Sequence, residues 1–383
     1  MGNEAPRIRW QRTTHLSAHL LYWSLAAVFV LLIGLVRNIN LLVLLGYLVV
    51  AIPLLNLAAA VQMLRGLHAK RRIAQPIYAG VPCTVSVHIA ATYGRARLGV
   101  AVEDGGPSHR LRWFAARLGR DGQTFRGQVL LPRRGRCAWG PLTAMSGYPF
   151  GLVQRRRILA PAEEVLVLPQ LGRLHNGRFR RLVWSRSAYT ERRRARPRFH
   201  AAAQDQFHGL RPYRTGDNPR AVHWRTTARR GEWMVREFED LPGDNLVLVF
   251  DPAKDGPAFE AAVSLAATIA MDWRSDGGGR LTAAVAGPNP MLLDGPCGPI
   301  HARRVLEQLA VVEPAPADEG ALVKLLMDAP PGGVVVVGAG YSSVADALRK
   351  ALQRPVVGLD ASLLRDYDFY EPPEEPPSDE DAQ

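Results

Sequence analysis

The chain has 383 residues, 47% of them hydrophobic, which allows two or three domains and suits a globular or partly membrane-bound protein. Its three widely spaced cysteines, Cys83, Cys137 and Cys297, have neither zinc nor redox spacing, and their odd number suits a reducing compartment better than a disulfide framework. The net charge is +13, and it would be +19 without the six carboxylates of the last thirteen residues. The expected partners are therefore anionic: phospholipid, nucleic acid or an acidic protein surface.

Two apolar runs near the N-terminus predict a transmembrane helical hairpin over residues 19–64, after a polar tail at 1–18. The runs His19–Val36 and Leu41–Leu64 are each about as long as a bilayer requires. Basic residues flank the pair on its outer sides and the loop has only Arg37, so the positive-inside rule places both termini in the cytoplasm. A cleaved signal peptide with one span, or a buried helix pair in a soluble protein, is less favoured, because no small-residue cleavage site follows the first run and both runs are long. We therefore expect an inner (cytoplasmic) membrane protein with two transmembrane helices.

Residues 73–168 predict a small β-sandwich-like domain. Val81–Ala90 alternates, with Val81, Cys83, Val85, Val87 and Ile89 on one face. Shorter β-prone runs follow, separated by Gly and Pro, at Leu98–Glu103, Gly127–Leu131 and Val165–Leu168. Tyr148–Pro149–Phe150–Gly151 predicts a rigid aromatic turn, and three arginines follow it.

A basic linker is predicted over residues 169–206. Its core, Arg178–Arg198, interleaves arginines with Phe179, Trp184 and Tyr189, and we find no hydrophobic period in it. Three interpretations stay open: a solvated loop, contact with anionic lipid or a protein partner, and nucleic-acid binding by phosphate pairing and base stacking. The neighbouring apolar runs favour lipid over nucleic acid.

Residues 207–240 combine a turn, an arginine-rich helix and a strand. Asp217 or Asn218 is the expected N-cap, Pro219 lies in the first turn, and the helix is expected to run to about Arg230 and end at Gly231. Ala221, Trp224 and Ala228 share the face expected to pack inward, whereas Arg225 and Arg229 project together. An extended strand is expected at Trp233–Glu239.

The arginines of this segment have two interpretations of about equal weight. They grip an anion, either a phosphate or an acidic loop of a partner, or they form an internal network with Asp217, Glu232, Glu237 and Glu239. The candidate anion- or partner-binding residues are Arg211, Arg220, Arg225, Arg229 and Arg236.

Residues 241–370 predict an α/β domain with a mostly parallel sheet, because short apolar strands alternate with helices. The expected strands are Leu246–Phe250, Leu281–Ala286, Val334–Val337 and Val356–Val357. The expected helices are Pro257–Trp273, His301–Val311, Glu319–Met327 and Ser342–Leu352. A disordered acidic tail is expected from Glu371 to Gln383.

Asp251 stands at the carboxyl end of the first of these strands, where open α/β sheets bind ligands. Asp251 and Asp255 could hold a divalent cation, but the hydroxyls that a hard cation needs are missing and Lys254 adds positive charge. We favour a loop-capping role for Asp251. Gly338–Ala339–Gly340 predicts a tight turn more strongly than a dinucleotide loop, because Ser343 replaces the third glycine. No phosphate-loop, nucleophile-elbow or His-Glu-x-x-His motif is present, so neither a cofactor nor a catalytic residue is expected and an enzyme is the less favoured class.

The segment 207–240 resembles the signature of domain-of-unknown-function family 58. The residues that carry the resemblance are Phe207–Arg211, Tyr213, Gly216–Asp217, Arg220, Trp224, Ala228–Arg229, Gly231 and Val235–Phe238. Of these, we interpret Gly209, Tyr213, Gly216, Asp217, Trp224 and Gly231 as structural. His223 stands where the family usually has Asp. Tyr148–Leu152 followed by arginines is similar to the family's second signature.

The resemblance implies a membrane-anchored cytoplasmic protein with a von Willebrand A-like domain that works with a MoxR-type AAA+ ATPase and other membrane proteins. The hypothesis is an interaction or adaptor protein in complex assembly or envelope-related processes. The alternative is an anion- or phosphate-binding module, or an enzyme acting on an envelope precursor. Anionic phospholipid is a further expected partner, and nucleic acid is the least favoured one.

Overall fold

A computed structural model describes residues 14–16, 18–92, 96–106, 109–191, 207–212, 223–238, 245–273 and 279–373, with the backbone alone at 14–16, 18–21, 184–191, 207–212 and 235–238. The chain divides into two compact units, residues 1–167 and 168–383. The predicted acidic tail lies almost wholly outside the described residues. Each unit is described by itself below.

The first unit begins with two apolar helices, α1 (Ala18–Val36) and α2 (Asn40–Leu64). They contact each other closely: a Cβ on Gly34 would lie 2.8 Å from the Val43 backbone nitrogen, and one on Gly46 would lie 2.4 Å from Leu31. Within the described residues, α2 has the length and apolarity to cross a membrane, whereas the apolar part described for α1, Tyr22–Val36, is shorter. Length and composition thus make this N-terminal region a candidate for membrane association.

Helix α2 exposes leucines such as Leu41, Leu44 and Leu48, and also Leu54 and Leu55, but its second half has one covered side. Asn56 and Ala60 are fully buried and Leu64 is nearly so. Asn56 is the polar interruption of the apolar run, and its side-chain amide has two partners. Nδ2 donates to the Gly147 carbonyl at 2.9 Å, and Oδ1 accepts from the Val153 backbone N–H at 2.7 Å.

The rest of the first unit is built from antiparallel strands. These are β1 (Thr14–Leu16), β2 (Leu67–Ile73), β3 (Ile77–Tyr78), β4 (Cys83–Ala91), β5 (Arg97–Gly106), β6 (His109–Leu118), β7 (Gln123–Val129), β8 (Gly135–Trp139), β9 (Leu142–Ser146), β10 (Val153–Ala160) and β11 (Glu163–Leu168). They form a five-stranded sheet in the order β1-β10-β9-β5-β6 and two three-stranded sheets, β2-β4-β7 and β3-β11-β8.

The core of the sandwich follows the alternation predicted for β4. Cys83, Val85, Val87 and Ile89 are all buried, because successive side chains of a strand point to opposite faces. Val81, predicted on the same face, precedes the strand and is 46% exposed, so it does not share the core with the other four. The aromatic turn at Tyr148 connects β9 to β10, as predicted.

A buried ion pair between Arg71 and Asp104 lies at one edge of this core. Arg71 Nη1 donates to Asp104 Oδ1 at 2.6 Å, and the two side chains are 4% and 0% exposed. The Trp139 indole N–H, itself fully buried, also donates to Asp104 Oδ1, at 3.4 Å. Arg71 makes further hydrogen bonds to Glu163 and to the Gly140 and Pro161 carbonyls. Such multiple bonding is what a buried guanidinium requires to offset its desolvation.

The second unit contains the remaining elements. They are β12 (Arg173–Leu174), α3 (Asn176–Glu191), β13 (Phe207–Pro212), α4 (Trp224–Arg230), β14 (Met234–Phe238), β15 (Leu246–Asp251), α5 (Pro257–Asp272), β16 (Arg280–Val285), β17 (Met291–Pro296), α6 (Pro299–Val311), α7 (Glu319–Met327), β18 (Gly333–Gly338), α8 (Ser343–Leu352), β19 (Val356–Asp360), a 3-10 helix (Ala361–Asp366) and β20 (Tyr370–Glu371).

The main sheet of this unit is mixed, in the order β17-β16-β15-β18-β19. β15 pairs in parallel with β16 and β18, and β18 pairs in parallel with β19. Every residue of β15 and β18 is buried, which explains their unbroken apolar sequences. The antiparallel edge strand β17 was not predicted, because its Gly and Pro residues and its exposed positions give no strand pattern.

Helix α3 corrects the prediction of a loop in the basic linker. Phe179 and Val183, one helical turn apart, are fully buried. The Phe179 ring meets Trp273 edge-on at 5.9 Å and Phe369 at 5.4 Å, and the Arg180 guanidinium lies 5.0 Å from the Trp273 ring centroid. The two apolar positions are too few to stand out among the arginines, yet this packing holds the helix. Residues 192–206 of the predicted linker lie outside the described residues.

Candidate functional site

The segment with the family resemblance forms a two-stranded ribbon and a short helix. β13 pairs antiparallel with β14, and Gly209 lies opposite Glu237 beside a register shift. Helix α4 is tied to the ribbon by two hydrogen bonds: the His223 N–H donates to the Met234 carbonyl at 2.8 Å, and the Met234 N–H donates to Thr227 Oγ1 at 3.0 Å. Met234 is 1% exposed, so the side of the ribbon that carries it is covered.

Helix α4 is shorter than predicted. It begins at Trp224, because His223 has non-helical backbone angles and its Nδ1 accepts from the Thr226 N–H at 3.2 Å. His223, the position at which the chain departs from the usual family residue, is thus the N-cap in place of Asp217 or Asn218, and residues 213–222 lie outside the described part. The predicted end is confirmed: Gly231 is left-handed, with φ 72°, and its N–H bonds to the Thr227 carbonyl.

The faces of α4 also differ from the prediction. Trp224 was expected to pack inward but is 62% exposed, and Ala228 is exposed as well. The indole of Trp224 instead meets that of Trp233, which is 55% exposed, with ring centroids 6.0 Å apart. A seven-residue helix with no buried residue has no packed face of its own, so Trp224 packs at the surface against Trp233, which follows the helix.

Arg225 and Arg229 are exposed beside this tryptophan pair, as is Arg230. Within the described residues, the side chains of Arg225 and Arg229 form no ion pair or hydrogen bond, and Glu232, also exposed, pairs with neither. The side chains of Asp217, Glu237 and Glu239 are not described, so the internal arginine network remains a prediction. We define the Trp-Arg face as Trp224, Arg225, Arg229 and Trp233.

The other predicted residues of the segment are only partly placed. Arg211 lies opposite Val235 and Arg236 lies opposite Leu210, so the two arginines occupy neighbouring rows of the ribbon on opposite strands. Tyr213, Gly216, Asp217 and Arg220 lie outside the described residues. The sequence reasoning missed Trp233, although an aromatic residue two positions after the helix-ending glycine was an available signal.

Asp251 ends β15 and is 4% exposed. Its Oδ1 accepts from the Ala253 N–H at 3.1 Å and its Oδ2 accepts from Ser342 Oγ at 2.5 Å. Asp255 is exposed, and its Oδ1 accepts from the Gly256 N–H. Each carboxylate therefore caps a backbone turn, the loop-capping role favoured for Asp251. In the described part of the chain, no group of three or more His, Cys, Asp or Glu residues is arranged to hold a metal ion.

The turn after β18 contacts Asp251 at the carboxyl end of β15. Asp251 lies opposite Gly338 in the parallel register, which brings Ser342 to the Asp251 carboxylate. A Cβ on Gly340 would lie 2.5 Å from Lys254 Nζ, so the ammonium group sits directly over the turn. The Tyr341 hydroxyl donates to Asp346, and this hydrogen bond lowers the pKa of Asp346 and raises that of Tyr341. Ser342 was missed because a strand neighbour 91 residues away leaves no local pattern.

Comparisons with known proteins agree with the resemblance seen in the sequence. Residues 209–354 match the family described as "Protein of unknown function DUF58". The chain is also similar to the "Uncharacterized protein YeaD" of Bacillus subtilis (strain 168), with 33% identity over 109 residues. That match covers 28% of this chain and 27% of the relative, so the chain spans about a quarter of the length of the curated relative it matches. The match to the family includes α4, four of the five strands of the main sheet and α8, and it ends before β19.

Proposed function

We propose that the protein is a membrane-anchored interaction protein that docks a partner on the Trp-Arg face. The observation that carries the proposal is the exposure of Trp224 and Trp233 beside Arg225 and Arg229, two arginines without an ion pair among the described residues. Tryptophan and arginine are the residue types that most often dominate binding energy at protein interfaces. The proposed partner surface is acidic and offers an apolar recess for the indoles.

The anchor in this proposal is a transmembrane hairpin formed by α1 and α2, with both termini in the cytoplasm. The exposed leucines of α2 support it, since exposed apolar side chains are stable in lipid. Arg65, Lys70 and Arg72 are exposed after α2, as the positive-inside rule requires. Arg71 also follows α2, but its charge is paired with Asp104 in the protein interior.

The second unit is proposed to be a von Willebrand A-like domain that serves for docking. Its strand order, with three parallel pairings and one antiparallel edge strand, is compatible with that assignment. The capping roles of Asp251 and Asp255 favour docking over metal-dependent adhesion. The resemblance to family 58 makes a MoxR-type AAA+ ATPase the partner to test first.

The test is direct binding of full-length protein in nanodiscs to a purified MoxR-type ATPase from the same genome. We expect Arg225→Ala with Arg229→Ala, or Trp224→Ala alone, to weaken binding about tenfold or more, the usual effect of truncating an interface hot spot. Arg304→Ala is the matched control, because Arg304 is an exposed helical arginine of the same unit. Equal affinity of all variants would reject the Trp-Arg face as the docking site, and no binding by wild-type protein would reject this partner.

A further inference from the structure

A groove of about 740 Å³ crosses the outer face of the five-stranded sheet in the first unit. Its floor consists of Gly99, Ala101 and Met145, on the face opposite to the core residues Val100 and Val102. The small residues Gly99 and Ala101 leave part of the central strands uncovered, while β6 and β10 carry long side chains at the two sides. The volume lies within the usual range for sites that hold small ligands, about 300–1,000 Å³.

The sides of the groove are basic and aromatic. Arg112 and Phe114 line it from β6, and Arg155 and Arg156 line it from β10. Glu103 partly offsets this charge, with Oε1 at 2.8 Å from Arg110 and Oε2 at 3.6 Å from Arg156. The guanidinium groups of Arg112 and Arg155 have no ion-pair or hydrogen-bond partner among the described residues. The groove therefore combines surplus positive charge with an apolar surface from Phe114, 65% exposed, and Met145.

One end of the groove lies against α2. Gly147, which lines the groove, accepts the hydrogen bond from Asn56, and the Leu98 N–H contacts Met63 Sδ at 3.2 Å. Next to the groove, Arg157 Nη1 donates to the Leu64 carbonyl at 2.6 Å. Beyond Asn56 the leucines of α2 are no longer exposed, and Ala60 and Leu64 are buried. The exposed ring of Phe150, 60% accessible, belongs to the turn that Asn56 holds.

We infer that this groove binds the phosphate-bearing headgroup of an anionic membrane lipid. Arg112 and Arg155 contact the phosphate through charge-assisted hydrogen bonds, and Phe114 and Met145 contact the apolar part of the lipid. The proximity of the groove to the exposed apolar surface of α2 favours a lipid over a soluble anion, because the acyl chains can remain beside the helix. The inference rests on the proposed membrane anchoring, and it concerns a different surface from the Trp-Arg face.

Native mass spectrometry of the detergent-solubilised full-length protein tests the inference. Phosphatidylglycerol is titrated against phosphatidylcholine, and inorganic phosphate is added in a separate arm at millimolar concentration. We expect preferential binding of phosphatidylglycerol that inorganic phosphate does not displace. Arg112→Gln and Arg155→Gln should each weaken it about tenfold, the scale of one charge-assisted hydrogen bond.

Two further variants separate a site from general surface charge. Ala101→Leu fills the floor without changing the charge, and we expect it to weaken binding of phosphatidylglycerol as well. Arg136→Gln removes an exposed arginine that pairs with Glu164 outside the groove, and we expect no effect. Thermal midpoints of all variants are compared to verify folding.

Three outcomes would overturn the inference: no preference for phosphatidylglycerol, equal losses in Arg136→Gln and the groove variants, or displacement of the lipid by inorganic phosphate. Alkaline extraction of membranes containing the same variants is run in parallel. Protein that stays in the membrane while its groove shows no lipid preference would reject the groove alone. Protein released by alkali would reject the anchor on which both proposals depend.

Discussion

At the scale of one residue, the environment of His109 in the sandwich determines which protonation state it prefers. Its ring lies 4.1 Å from that of Trp139, and neither ring nitrogen has a hydrogen-bond partner among the described residues. Burial lowers the pKa of His109, the Asp104 carboxylate opposes this shift, and the Arg71 guanidinium adds to it. The neutral imidazole is therefore the form that the folded protein accommodates.

We expect this residue to make stability depend on pH. Because the pKa of folded His109 lies below its ordinary 6.5, the unfolded chain binds the proton more tightly. The folded state is therefore fully stable with respect to this residue above pH 6.5, and it loses that stability as the pH falls through the lower pKa of folded His109. Thermal unfolding of the solubilised protein between about pH 7 and pH 5 should show a falling midpoint, with a smaller fall in His109→Phe. His88→Gln, at an exposed position of β4, is the control. Identical pH profiles of wild type and His109→Phe would contradict the assignment.

At the scale of single elements, α2 shows how a polar residue can belong in an apolar helix. Asn56 interrupts the run only mildly in sequence terms, but its amide bonds both strand ends that flank the β9–β10 turn. The two partners lie 91 and 97 positions further along the chain. Asn56 therefore holds the turn that carries Phe150 against the helix.

Asn56→Leu should destabilise this contact although it makes α2 more apolar. The Gly147 carbonyl and the Val153 N–H would each lose a partner, at about 1–3 kcal/mol per buried unpaired group. We expect faster proteolysis at residues 147–152 and a lower thermal midpoint. Leu54→Ala, on the exposed side of α2, should change neither. A stable and protected Asn56→Leu protein would show that the amide contributes nothing.

Helix α3 is the element whose existence depends most on packing. Phe179→Ala should remove the ring contacts with Trp273 and Phe369 and cost about 3–5 kcal/mol, as usual for a fully buried aromatic residue. Hydrogen exchange of residues 176–183 should then accelerate. Arg181→Ala, at an exposed position of the same helix, is the control. Unchanged exchange in Phe179→Ala would mean that the helix does not depend on this contact.

At the scale of the whole molecule, the proposed topology is open to a labelling test. Ile39→Cys, in a protein whose native cysteines are replaced by alanine, places one thiol in the short loop between α1 and α2. We expect a membrane-impermeant maleimide to label it from outside intact cells, because both termini are proposed to be cytoplasmic. Ser362→Cys, exposed in the second unit, should be labelled only after permeabilisation. The reverse pattern would contradict the proposed orientation.

Prediction from the sequence succeeded where a single element carries its own periodicity. The buried strands β15 and β18 are unbroken apolar runs, β4 alternates, and α5 and α8 lie close to their predicted limits. Prediction failed for α3, where arginines masked two buried positions, and for the faces of α4. A seven-residue helix has too little periodicity to determine which side is covered.

The candidate sites were predictable to different extents. The exposure of Arg225 and Arg229 was expected from their spacing, whereas the exposed Trp224–Trp233 pair was not. The Ser342–Asp251 hydrogen bond follows from parallel pairing of strands that are far apart in sequence. The groove with Arg112 and Arg155 has the same cause, since its residues come from four strands and meet only in the folded sheet.

The sequence by itself determined the apolar N-terminal runs, strands with a clear pattern such as β4, β15 and β18, and the basic character of the chain, because each depends on composition or on periodicity within one element. Only the tertiary structure decided which side chains meet: Asn56 with the β9–β10 turn, Asp251 with Ser342, and the arginines of the groove with one another. The reason is that strand order and register place residues of distant segments side by side, and local propensity does not encode that arrangement.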